Sequence, residues 1–263
     1  MRKKLVVGNW KMNMTRAQAS AAIESLLLLV DPRTEVEVGI CPPYLTIDCV
    51  ANLLSRSHFH VGAQDVFWMA SGAFTGNVSA QMLAEAGCTY CIVGHSETRG
   101  RFGKIEVPAS TLSYFSETDE TVNLKVKALL YQSIHPILCV GETLDERNAE
   151  QTDDVIAAQL RGALQGIEGA EFYNGVVAYE PVWAIGTGKT CDNAEASRVC
   201  GFIRNQLRGI LDDDAADAIR ILYGGSVKPS NAKELFSQSE IDGGLVGGAS
   251  LDPEGFSEIV RSA

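Results

Sequence analysis

The stretch "EPVWAIGTGKT", residues 180–190, combines two kinds of chemistry. Glu180 ends the apolar run "GVVAY", and a carboxylate at the tip of a strand can act as a general base when partial burial raises its pKa toward neutrality. It can equally be a solvated loop glutamate or the partner of a local cation. Gly186 and Gly188 free the backbone that follows, while Pro181 and Trp183 stiffen one end. That suits either a lid that excludes water from a base or a plain surface loop. The ending Gly188-Lys189-Thr190 matches the last positions of a nucleotide-binding P-loop, a motif that needs a glycine five residues before its final Gly-Lys. Trp183 stands there and can supply neither the tight turn nor the close approach to phosphate, so a nucleotide cradle is excluded.

Other residues could complete such a site. "GGS" at 224–226 and "GGAS" at 247–250 each follow a short apolar run and precede a helical pattern. Glycines there let backbone N–H groups turn toward one anion, and a helix N-terminus adds partial positive charge. Ordinary strand-to-helix turns are the alternative, weakened by the paired occurrence near the chain end. His95 follows "YCIVG" and opens "HSE" at an expected helix start, where backbone N–H groups disfavour the imidazolium. A neutral imidazole can donate a hydrogen bond to a carbonyl and later return the proton; a structural histidine is the other reading. Asn9, Lys11, Gln64 and Glu142 also follow apolar runs. A base, a neutral electrophile and a cation suit proton removal beside a carbonyl, with Lys11 and His95 stabilising the enediolate and no cofactor, metal or redox centre required. Cys88-x-x-Cys91 is solitary and sits in an apolar strand, so it reads as a buried thiol. His58 and His60 have no acidic or cysteine partner nearby in sequence, so no metal site is expected.

The elements that must position these residues recur regularly. Eight short apolar runs, "LVVGNW", "VEVGIC", "FHVGAQ", "YCIV", "HPILCV", "GVVAYE", "IRILY" and "GGLV", are rich in Val and Ile, as buried parallel strands are. Helical patterns lie between them. Val199, Ile203, Leu207 and Ile210 form one stripe, behind an acidic variant of the capping box at Asp192 and Glu195. Val155, Ile156, Leu160, Ala163 and Leu164 form another, and Asp252-Pro253 reads as a cap followed by proline at the first helical position. Strand then helix, eight times, predicts a closed (β/α)8 barrel as a single domain over residues 1–263. An open doubly wound sheet is the alternative, but "GNWKMN" after the first strand lacks the glycine pattern of a dinucleotide turn. In a barrel the chemistry gathers where strands end, which is where the polar candidates fall.

Composition sets the remaining limits. With 46% apolar and 21% charged residues the chain can build a sizeable core. A net charge of -11 disfavours nucleic acid or an anionic membrane surface as partner. The longest apolar patch, residues 26–30, is far short of the roughly 18 to 20 residues of a membrane span. The opening "MRKKLVVGNW" has too short an apolar run for a signal peptide and reads as a first strand. Seven cysteines without framework spacing point to free thiols in a reducing compartment, hence a cytoplasmic location.

Taken together, "GNWKMN", "GAFTG", "VGHSE", "CVGETLDER", "AYEPVWAIGTGK", "YGGSVKP" and "GGLVGGASL" closely resemble the triosephosphate isomerase family, in family order along nearly the whole chain. The resemblance implies interconversion of dihydroxyacetone phosphate and D-glyceraldehyde 3-phosphate, in glycolysis and gluconeogenesis, without a cofactor. It implies Glu180 as the base, His95 as the electrophile, and Lys11 and Asn9 as substrate contacts. It assigns the phosphate to Gly186, Ser226, Gly247 and Gly248, the lid to 181–189, and supporting roles to Glu97 and Cys139. It also implies a homodimer in which the third loop, 64–81, inserts into the partner with Thr75 near the partner's site. The pairing of a glutamate base with a neutral histidine is carried over from the family rather than read from spacing. The chain departs from the pattern in three places. Thr98 replaces the first of two usual arginines, and Asn77 replaces a usual glutamate. An apparent insertion of about thirteen residues falls within 101–116, after the fourth strand, and "RFG" and "YFS" can each match the same family segment. The expectation is that it extends the dimer contact or lies near the lid. Another phosphosugar barrel enzyme, an epimerase or a Schiff-base aldolase, is an alternative, although Lys11 precedes a helix cap rather than sitting buried. A non-catalytic binding protein is another, opposed by the intact Lys11, His95 and Glu180.

Overall fold

Each of the eight apolar runs contains a strand. In the computed structural model, which describes residues 2–104, 107–187 and 191–263, these are β1 (Leu5–Asn9), β2 (Glu37–Cys41), β3 (Phe59–Ala63), β4 (Tyr90–Val93), β5 (His135–Val140), β6 (Val176–Tyr179), β7 (Arg220–Tyr223) and β8 (Gly243–Val246). All pair in parallel with their sequence neighbours, and β1 also pairs with β8 (Leu5 opposite Gly243, Gly8 opposite Val246), so the sheet closes into a barrel.

Side-chain alternation divides the apolar residues into two cores. Leu5, Val7, Ile92, Ile137, Cys139, Val176, Ala178, Leu222 and Leu245 fill the barrel interior. Val6, Val38, Cys91, Val93, Leu138, Val177 and Ile221 face outward against the helices. Near the amino ends of the strands, the interior is plugged by charge. Arg220 bonds Glu37 Oε2 at 3.0 Å and the Tyr90 hydroxyl at 2.7 Å, and Tyr90 donates to Glu37. His60 joins this group, with Nε2 3.6 Å from Glu37 and Nδ1 3.3 Å from the Thr89 hydroxyl, which occupies a histidine singled out by the sequence. Cys88 and Cys91 are both buried, and burial raises both thiol pKa values.

The helical stripes take their expected places. Val199, Ile203 and Leu207 of helix Asn193–Ile210 are buried, as are Ile156, Leu160 and Ala163 of helix Thr152–Ala163. Asp252 caps helix Pro253–Arg261 through the Gly255 N–H at 3.0 Å. The capping box expected at Asp192 and Glu195 is only half formed. Asp192 accepts from the Glu195 N–H at 3.0 Å, but the Glu195 carboxylate turns away to Arg147 and Arg198, because two guanidiniums outcompete one amide.

Asp242, ahead of β8, ties the barrel to its outer layer. It accepts from Arg204 Nη2 at 2.8 Å, Arg2 Nε at 2.8 Å and the Ile221 N–H at 2.9 Å. Arg204 is itself buried and spends its other donors on Glu240 and on the Ala216 and Ile219 carbonyls. Asp242→Ala leaves the buried Arg204 with Glu240 as its remaining carboxylate and removes the acceptor of the Ile221 N–H, so we expect urea unfolding at pH 7 to show a loss of about 1–3 kcal/mol. Asp242→Asn keeps the shape and should lose less.

Candidate active site

The carboxyl ends of the strands surround a cavity of about 390 Å³. Its wall contains Asn9, Lys11, His95, Glu180, Gly186, Ser226, Gly247 and Gly248, every residue that the sequence singled out as catalytic or substrate-binding. Gln64 and Glu142, also singled out at strand ends, are not in the wall; Gln64 braces Lys11, which is, and Glu142 holds Trp183, two residues before the wall residue Ile185.

Lys11 reaches the cavity through a left-handed backbone, with φ +51°, unusual for a residue with a side chain. Its neighbours hold that conformation. Asn9 Oδ1 accepts the Lys11 N–H at 3.0 Å, and the Gln64 amide donates to the carbonyls of Lys11 at 2.9 Å and Cys41 at 3.0 Å. The Lys11 ammonium is paired with Glu97 Oε1.

His95 and Glu180 meet at the mouth of the barrel, both almost fully buried. The Glu97 N–H donates to His95 Nδ1 at 3.1 Å. A backbone amide cannot surrender its proton, so the ring carries its own proton on Nε2, which lies 2.8 Å from Glu180 Oε1. Glu180 Oε2 accepts the Ser96 N–H at 2.9 Å. Burial alone would raise the Glu180 pKa, but the His95 pairing and the Ser96 N–H outweigh it and hold the carboxyl below its ordinary value. For His95, burial acts downward and the Glu180 charge upward, and the carboxylate wins. The amide at Nδ1 opposes the second proton, so we read the ring as the neutral Nε2–H tautomer. Two glycines make room for Glu180, one for its main chain and one for its side chain. A Cβ at Gly141 would fall 1.7 Å from the Glu180 carbonyl oxygen, and one at Gly224 3.0 Å from Glu180 Cγ.

The far wall is glycine. Gly224, Gly225 and Ser226 follow β7, and Gly247 and Gly248 follow β8, where a short 3-10 turn, Gly248–Leu251, precedes the α-helix. Gly186 sits opposite with φ +69°. Glycine turns and the lysines 11, 104 and 228 in the wall give this cavity the features that suit an anion, on an otherwise acidic chain. Sequence reasoning did not assign Arg101, Phe102, Gly103, Lys104 and Lys228 to the wall; the signal for the first four was the apparent insertion after β4, and for Lys228 its place in "YGGSVKP".

Glu142 anchors the segment that follows Glu180. Fully buried, it accepts from Trp183 Nε1 at 2.7 Å and the Tyr179 hydroxyl at 3.2 Å. Burial raises its pKa despite these bonds. Arg147 stacks over the Trp183 ring at 4.7 Å. The end of the expected lid and of the P-loop-like triplet, 188–190, lies outside the described residues. At the departures, the Thr98 hydroxyl bonds Glu117 Oε2 at 2.6 Å, and Glu117 in turn pairs with Lys125. Asn77 is exposed and, among the described residues, bonds within its own loop, to the Phe74 carbonyl.

This geometry agrees with the likenesses of the whole chain. A family profile described as triosephosphate isomerase matches residues 4–263. Among relatives named triosephosphate isomerase, the protein of Trichlorobacter lovleyi is 49% identical over 261 residues, covering 99% of each chain. That of Prosthecochloris aestuarii is 48% identical, covering 100% of this chain and 99% of its own. That of Moorella thermoacetica is 48% identical, covering 99% of each. With a parallel barrel closed at β1–β8 and the matching motifs gathered at one end of it, the chain belongs to the triosephosphate isomerase family.

Proposed function

We propose that Glu180 is the base in the interconversion of dihydroxyacetone phosphate and D-glyceraldehyde 3-phosphate, the glycolytic and gluconeogenic isomerisation of this family. The observation that carries the assignment is the meeting of Glu180, His95 and Lys11 in one cavity whose lining also holds Gly186, Gly224, Gly225, Gly247 and Gly248. Glu180 removes a proton from the carbon beside the carbonyl and returns it to the neighbouring carbon. His95 donates its Nε2 proton to the carbonyl oxygen and takes one back from the neighbouring hydroxyl, which becomes the new carbonyl, so the ring ends as it began; the Lys11 ammonium stabilises the negative charge that develops on these oxygens. Asn9 positions Lys11 and faces the substrate. Gly186, Ser226, Gly247 and Gly248 hold the phosphate.

The resting bonds also explain how the base is activated. Glu180 is held ionised by His95 and the Ser96 N–H. Substrate entering between Glu180 and His95 breaks those bonds and leaves burial, which raises the carboxyl pKa, as the dominant influence. A weak resting base thus becomes a stronger one where the proton must be taken.

The chain acts as a homodimer through the loop 64–81. That loop is built to project. Phe67 packs on Phe74 with ring centroids 4.8 Å apart, Phe67 N–H bonds the Val78 carbonyl at 2.8 Å, and Gly72 and Gly76 take positive φ around its tip. Thr75 stands exposed at that tip. Exposed Met12 and Leu45, 96% and 94% accessible, lie in the loops after β1 and β2, and Met69, Phe74 and Met82 add further apolar surface. So much exposed apolar area favours burial against a second copy. Seven free thiols, six of them buried, support a cytoplasmic setting.

Two outcomes are expected. In a coupled isomerase assay, Glu180→Asp loses roughly 100- to 10,000-fold in kcat while still binding inorganic phosphate; full activity would remove Glu180 as base. In sedimentation velocity the wild-type protein runs near twice 28.3 kDa. Phe74→Asp with Thr75→Arg shifts it toward one chain and lowers turnover; an unchanged sedimentation rate would exclude this loop as the contact.

A further inference from the structure

The chain leaves the barrel rim after β4 on a stem, residues 100–104, and returns at Phe115. The two ends of this excursion are clamped together. Gly100 has φ +69°, and a Cβ there would fall 2.3 Å from the Phe115 carbonyl oxygen. Phe102 and Phe115 pack edge to face at 5.3 Å, and the Glu117 N–H bonds the Thr98 carbonyl at 3.3 Å. The stem is also tied to the loop after β5. Arg101 pairs through both terminal nitrogens with the Glu146 carboxylate and donates to the Gly141 carbonyl at 3.1 Å. That places a braced backbone against the segment that follows the base.

The contact itself is made by Gly103. A Cβ at this position would stand 2.4 Å from the Val182 carbonyl oxygen, 2.4 Å from the Ile185 carbonyl oxygen and 3.3 Å from Thr187 Cγ2. Its φ lies outside the left-handed range, so the backbone does not demand glycine; the neighbouring segment does. Val182–Ala184 is a 3-10 turn pinned at the other side by Trp183 on Glu142, and Gly186 directly beyond it faces the cavity. The height at which this turn rests on the stem therefore sets where the Gly186 N–H can meet an anion.

We propose that Gly103 is a positioning residue for the isomerisation: the missing side chain lets residues 182–186 settle against the stem of the 103–116 excursion, and so brings Gly186 to the substrate phosphate. The inference rests on the reading of the cavity as a triose phosphate site, and it gives the extra residues after β4 a purpose, as a brace for the lid.

The test is Gly103→Ala in the full chain. A displacement near 1 Å at a substrate-positioning group costs on the order of 10- to 100-fold in rate. We expect kcat/KM to fall at least about tenfold, with KM raised and inhibition by inorganic phosphate weakened by a similar factor. A smaller folded fraction would lower kcat alone, leaving KM and the phosphate inhibition constant unchanged, and that pattern overturns the proposal, as does kcat/KM within about twofold of wild type. Should Gly103→Ala not fold, Arg101→Met answers the same question by freeing the stem. It should raise KM and the phosphate inhibition constant at least about threefold, with Arg101→Lys restoring most of the loss, and no change would overturn the proposal. An inactive wild-type protein would instead strike at the triose phosphate reading itself.

Discussion

Closure of the sheet is the constraint on which the site depends. Because β1 hydrogen-bonds to β2 on one side and β8 on the other, the eight strands share one direction and their carboxyl ends share one rim. Asn9, His95, Glu180, Ser226 and Gly247 stand far apart in sequence, yet each comes just beyond, or at the end of, a strand and so reaches one cavity. Two interleaved cores stiffen that ring, one inside the barrel and one beneath the helices. The groups that do chemistry can therefore sit in short loops without losing their mutual geometry.

Two buried carboxylates at the rim show how partners decide a charge. Glu180 and Glu142 both lose water almost completely. Glu180 faces His95 and a backbone N–H, and its pKa is held down. Glu142 receives bonds from Trp183 and Tyr179, which soften the cost of burial but do not cancel it, and its pKa rises. One carboxylate thus faces the cavity paired with an imidazole, while the other holds a tryptophan in the segment that follows Glu180. Residues five and forty-one positions from Glu142, Arg147 and Trp183, complete that anchor by stacking on each other.

Much of the fold was legible in the chain because parallel strands buried on both faces must be continuously apolar, and the helices between them must not be. The eight runs, the stripes at Val199–Leu207 and Ile156–Ala163, and the cap at Asp252 follow from that rule. Failures came where side chains had a choice of partner. Glu195 suited a capping box by spacing, but Arg147 and Arg198, the former from a distant helix, drew its carboxylate away. Gln64 and Glu142 stood at strand ends like catalytic residues, and only packing shows them bracing Lys11 and Trp183 from behind.

Residue type and order alone established the strand-and-helix alternation, the glycine turns after the seventh and eighth strands, and a carboxylate, an imidazole and a cation at strand ends. Trp183 in place of a glycine was enough to remove the nucleotide reading. Tertiary structure decided what distance and exposure control. It set the His95 tautomer through the Glu97 N–H, the resting partners of Glu180, and the left-handed turn at Lys11. It also turned residues 101–104, after β4, toward the cavity and seated Gly103 against Val182 and Ile185. Spacing along a chain sets which face a residue takes within its own element. Contacts between loops of different strands depend on how the closed ring brings them together, and no local pattern encodes that.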